Sequence, residues 1–166
     1  MGTRACISFV NEDKEVVTIV CSYDGYPTYV GKVLETFYNI DNIGQLMSLG
    51  NLSSLGKTPF PVDEQKWHLT QYDDITIADD NGIYFKCCAY KTVGYENEDA
   101  TVLENIKAFK EHLKKGYWWD SAYHYIYRKS KGQYSWYLLK FTDNGIKYER
   151  LSNVLKKKDP DGCGRD

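Results

Sequence analysis

A chain of 166 residues and 19.2 kDa with a formal charge of −2 has the length of one domain. Its 42% hydrophobic content excludes disorder for most of the chain, and no apolar run approaches the roughly 18 residues of a membrane helix, so no membrane partner is expected. The near-neutral total hides a division: residues 1–101 carry 7 Lys/Arg against 15 Asp/Glu, whereas residues 102–158 carry 13 against 5.

Residues 5–10 and 15–21 are rich in β-branched and aromatic side chains around a polar turn, which predicts a hairpin. Gly25 and Pro27 then redirect the chain. A helix is predicted from about Tyr29, because Val30, Val33, Leu34, Phe37 and Tyr38 recur at helical spacing on one face. Residues 43–55 read as a short or broken helix weakened by Gly44 and Gly50, and Pro59 and Pro61 make residues 56–63 a loop. A second hairpin is predicted from residues 75–78 and 83–90, since Asn81 and Gly82 suit the positive φ angles of a tight turn.

Asp99 is expected to cap a helix whose apolar face is Val102, Ile106, Phe109 and Leu113, with Lys107, Lys110, Lys114 and Lys115 mostly elsewhere. Three strands follow, at residues 123–128, 133–141 and 146–150, with turns at Gly132 and Gly145. The order predicts an α+β fold: a mostly antiparallel sheet built from hairpins, with two main helices and one short or broken helix. Residues 1–155 form the single domain, and the polar residues 156–166 are expected to be a mobile tail.

Five cysteines without a framework spacing point to free thiols in a reducing compartment, so a cytoplasmic location is expected. Adjacent Cys87 and Cys88 would face opposite sides of a strand and the three histidines are scattered, which leaves no metal motif; no cofactor is implied. Phosphate loops, nucleophile elbows and HExxH motifs are likewise missing from the sequence.

The basic half is also the aromatic half. Trp118, Trp119, Arg128 and Trp136 lie among Tyr123, Tyr125, Tyr127 and several lysines, a mixture in which rings can stack on bases while cations neutralise phosphates. The alternative is a half-buried sheet, because Tyr123, Tyr125 and Tyr127 share one strand face without needing a ligand. Near the N-terminus Arg4 is expected to reach the Tyr23–Pro27 turn, either pairing with Asp24 or projecting with Tyr23 and Tyr26 towards an anionic planar ligand.

Gly2, Thr3 and Arg4 opening the hairpin, followed by Tyr23, Asp24, Gly25, Tyr26 and Pro27, resemble an uncharacterised family of small proteins found largely in phages and bacterial genomes. Members often carry Ser-Gly-His-Gly after the proline, where this chain has Thr28, Tyr29, Val30 and Gly31. The resemblance implies a phage or mobile-element setting, in which small proteins often counter host defence.

Three functions follow as expectations. The first is a non-catalytic binding protein, phage-encoded and acting in the host cytoplasm, that sequesters a phosphate-bearing nucleotide-like ligand. Its candidate residues are Arg4, Tyr23, Asp24, Tyr26, Trp118, Trp119, Arg128 and Trp136. The second is an inhibitor of a host defence protein, and the third a small phosphoesterase-like enzyme. A long duplex is disfavoured as a partner, because the acidic first two-thirds would repel it.

Overall fold

The computed structural model describes residues 2–62, 78–118 and 120–162. Strands β1 (Ala5–Val10) and β2 (Val16–Cys21) form the predicted antiparallel hairpin, with Ala5 opposite Cys21. Their alternating small and β-branched side chains suit a sheet covered on both faces. A wide helical turn (Pro27–Gly31) then runs into α1 (Lys32–Phe37), followed by α2 (Ile43–Ser48) and strand β3 (Leu52–Ser54). Strands β4 (Cys88–Ala89) and β5 (Thr101–Leu103), helix α3 (Ile106–Lys114), strands β6 (Tyr123–Ser130), β7 (Gln133–Thr142) and β8 (Gly145–Arg150), and helix α4 (Leu151–Val154) complete the order.

The eight strands among the described residues form one sheet in the order β4-β3-β2-β1-β6-β7-β8, with β5 also paired to β2. Most pairings are antiparallel, but β1 with β6 and β2 with β3 are parallel. The fold is therefore a mixed α+β architecture with a mostly antiparallel sheet. The parallel pairing sets Cys6 beside His124 and brings the chain just before β6 against Arg4, through the Ala122 N–H to Arg4 carbonyl bond of 2.9 Å.

Side chains alternate across the sheet and create two unlike faces. On one, Ile7, Ile19, Tyr125, Trp136 and Leu138 pack beneath Val33 and Leu34 of α1 and Leu46 of α2. On the other, Val16, Ile126 and Leu139 receive Phe109 of α3. This second face also holds a buried polar strip: Ser8 and Thr18 share a 2.7 Å hydroxyl bond, and the Cys6 thiol donates to the Ser121 hydroxyl at 3.4 Å.

Three expectations need correction. Asp99 caps no helix: residues 101–103 are the edge strand β5, half of Val102 faces solvent, and Asn105 caps α3 by accepting the Ala108 N–H at 2.8 Å. The β-branched Thr101 and Val102, with Leu103, pair with β2 before a helix can start. The described part of the tail, residues 156–162, returns to the domain, since Asp161 accepts from the Thr28 N–H (2.8 Å) and hydroxyl (2.9 Å), and Tyr123 donates to the Asp161 carbonyl. The second hairpin does not form over residues 83–90: Ala78 and Tyr84 make a single antiparallel bridge around Gly82 (φ +77°), while Cys88–Ala89 pair with β3 and Tyr90–Val93 turn helical; residues 75–77 lie outside the described residues. Among the described residues, no helix is long and apolar enough to cross a membrane.

Candidate functional site

Helix α3 lies across the second sheet face and borders a hollow beside the β7–β8 turn. Phe109, 1% exposed, anchors it to β2, β6 and β7. A helix places side chains four apart on the same flank, so Lys110 and Lys114 stand one turn apart. They face the β7–β8 turn, which the Thr142 hydroxyl tightens by donating to the Gly145 carbonyl at 2.8 Å. Between helix and turn lies a cleft of about 450 Å³. Leu113, Ile146 and Phe141 supply its apolar surface, Asn144 its amide, and Lys110 and Lys114 its charge.

Among the described residues, no carboxylate lines this cleft. The ion pairs among the described residues use Arg4, Lys57, Lys91, Lys140 and Lys157, leaving Lys107, Lys110 and Lys114 outside them. A shallower hollow of about 380 Å³ on the same helix adds Lys107 and Glu111 and shares Lys110 and Lys114. Phe141 is 55% exposed, and its other edge meets the His124 ring at 5.1 Å in a T-shaped contact.

A separate hollow of about 300 Å³ is lined by Arg4, Val20, Ser22, Asn51, Tyr90 and Glu98. Arg4 is not paired with Asp24 as the sequence suggests. Its Nη1 bonds the Asp120 carboxylate at 2.6 Å, because the parallel β1–β6 pairing brings residue 120 alongside residue 4. Asp24 sits in the left-handed region (φ +59°), and its carboxylate accepts from the Tyr26 hydroxyl at 3.0 Å.

The seven described residues among the eight singled out from the sequence do not converge. Tyr23 is half-exposed beside Gly2, while Tyr26 is committed to Asp24. Gly25 explains the tightness of this turn: a Cβ there would lie 2.8 Å from the Thr3 carbonyl oxygen and from the Ala5 Cβ. Trp118, in the left-handed region (φ +60°), packs against Phe109 and His112 at the end of α3. Trp119 lies outside the described residues.

Arg128 stacks over the Tyr148 ring at 4.4 Å, on the same face as α3. Trp136 is on the opposite face, 2% exposed, with its indole N–H donating to the Tyr38 carbonyl at 3.0 Å. Trp136 is thus a core residue, as are Tyr125 and Tyr127, and the tyrosine stripe belongs to packing. Lys110, Lys114, Phe141 and Asn144 were outside the sequence candidates, although the helical spacing of the two lysines was visible in the sequence.

Covalent chemistry finds little support at the buried thiols. Burial pushes Cys6 up to about 12 and Cys21 to about 12, so both are protonated at neutral pH. Burial acts oppositely on His124, lowering it to about 4 despite the Ser121 backbone, and its Nδ1 has no hydrogen-bond partner among the described residues. His124 is therefore neutral at pH 7. Comparison with family models, with curated proteins and with solved structures yields no match.

Proposed function

We propose that this protein binds a phosphate-bearing, nucleotide-like ligand in the cleft between α3 and the β7–β8 turn, and holds it without chemical change. The observation that carries the reading is two lysines without ion-pair partners among the described residues, above an exposed phenylalanine in a cleft those residues leave free of carboxylates. Lys110 and Lys114 would neutralise phosphate, and each charge-assisted hydrogen bond is worth about 1.5–3 kcal/mol. Phe141 would stack on a base, a contact worth about 1–3 kcal/mol, and the Asn144 amide can hydrogen-bond a base edge. A volume of about 450 Å³ falls within the ordinary range of small-molecule clefts.

Arg128 and Trp118, on the same face, would extend this surface, whereas the burial of Trp136 argues against its direct participation. In the phage setting implied by the N-terminal resemblance, such binding would withhold the ligand from host defence.

Mass spectrometry of small molecules released from the purified full chain, together with calorimetry against AMP, ADP and ATP, tests the reading. Saturable nucleotide binding with unaltered ligand is expected. Failure to bind any of them, with a host protein co-purifying, would replace it with the inhibitor reading, and turnover of the nucleotide would replace it with the enzyme reading.

A further inference from the structure

The hollow beside Arg4 has a different chemistry. We propose that it is a second binding site, specific for a small zwitterion of the free α-amino acid class. Arg4 and Glu98 bring opposite charges to one cavity of about 300 Å³, with Val20 as an apolar surface between polar walls. A phosphate dianion would meet the carboxylate of Glu98 and, beside Arg4, that of Asp120. A simple cation would meet the guanidinium. A molecule with one carboxylate and one ammonium satisfies both ends.

The polar groups have capacity left for such a ligand. Arg4 spends Nη1 on Asp120, which leaves the rest of its five-donor fork for a carboxylate. The Ser22 hydroxyl accepts from the Tyr90 hydroxyl at 2.9 Å and retains its own proton to donate. Glu98 accepts from the Asn51 amide through Oε2 at 2.8 Å, so Oε1 can accept from an ammonium.

The walls are also held in place. Asn51 uses all four of its polar groups: its N–H donates to the Glu98 carbonyl and its carbonyl accepts from the Tyr90 N–H. Its Oδ1 accepts from the Val20 N–H and its Nδ2 donates to Glu98. One asparagine thereby fixes strand β2, Tyr90 and Glu98 relative to one another. Such preorganisation lowers the ordering cost of binding a small molecule.

The test is an amide NMR titration of the full chain with the free L-amino acids, first as a mixture and then singly. Saturable shifts at Val20, Ser22 and Asn51 are expected from at least one of them. N-acetylation or carboxamide capping of that amino acid should weaken binding by at least about tenfold, because each removes one charge-assisted contact. Arg4→Met and Glu98→Gln should each do the same, with the rest of the spectrum unchanged.

Absence of shifts with the whole mixture, or binding indifferent to capping, would overturn the assignment. The capped ligands are used with the unaltered chain, so the outcome does not depend on a variant folding. The site is also independent of the nucleotide cleft: a chain with Lys110→Glu and Lys114→Glu should still bind the amino acid.

Discussion

Two hollows on one scaffold differ in how their charges are neutralised. Beside the β7–β8 turn, Lys110 and Lys114 stand over Phe141 and Ile146 with no carboxylate among the described lining residues. In the other hollow, Arg4 is bonded to Asp120 and shares its cavity with Glu98. A surplus of uncompensated cations selects an anion, whereas paired opposite charges select a molecule that carries both. The formal charge of −2 for the whole chain says nothing of this contrast, because each hollow collects its residues from distant parts of the sequence.

Reversing the charge of one hollow alone should disturb the contrast most. Lys110→Glu with Lys114→Glu should lower ATP affinity by about 100-fold or more at low salt, since two attractive contacts become repulsive. Calorimetry at two salt concentrations checks this, and the unaltered chain should show the steeper salt dependence. Retained affinity in the double variant would show that the lysines are only a solvated helix face.

His124 is buried in β6, set beside Cys6 across the strands and in ring contact with Phe141. Its pKa falls from 6.5 to about 4 on folding, so the unfolded chain binds the proton more tightly. The neutral imidazole therefore favours the folded state fully above about pH 6.5, and that contribution is lost progressively as pH falls towards 4. The loss should approach about 3 kcal/mol, because lowering a pKa by one costs the protonated form about 1.4 kcal/mol. Urea unfolding of the unaltered chain and of His124→Leu at pH 7 and pH 4.5 tests it: the variant should show the smaller difference between the two pH values. Equal pH dependence would mean that acid acts elsewhere.

Removing the ring from the basic hollow separates stacking from charge. Phe141→Ala should weaken nucleotide binding by about tenfold, in line with about 1–3 kcal/mol per stacked base, and leave inorganic phosphate affinity nearly unchanged. If phosphate and nucleotide lose affinity together, Phe141 supports the turn rather than a base.

Local pattern revealed most strands, because period-two alternation and the turns at Gly132 and Gly145 are properties of adjacent residues. Pairing between distant segments was not legible. Nothing near Arg4 in sequence announces Asp120; their contact depends on a parallel pairing between β1 and β6. Asp24 was the nearer carboxylate along the chain, yet its left-handed backbone accompanies a bond with Tyr26. The basic cleft was half legible. Helical spacing placed Lys110 and Lys114 on one flank, but only tertiary packing sets Phe141 and Asn144 opposite them. The tyrosine stripe was legible as a face, and burial of Tyr125 and Tyr127 places most of it in the core.

A single neutralised carboxylate should change least and separate the two hollows most finely. Asp120 and Arg4 form a bond of 2.6 Å between side chains that are 40% and 50% exposed, and solvent-exposed pairs contribute only about 0–1 kcal/mol. Asp120→Asn should therefore change unfolding free energy by less than about 1 kcal/mol. The amide still offers Arg4 an acceptor oxygen, so the guanidinium keeps its orientation while the neutralising charge disappears. Amino-acid binding should then stay within about twofold, because the two charges that meet the ligand, Arg4 and Glu98, are untouched. Inorganic phosphate, excluded by two carboxylates in the unaltered chain, should begin to shift the Ser22 amide in an NMR titration. A hollow that still ignores phosphate would show that Glu98 alone enforces the difference between the two hollows.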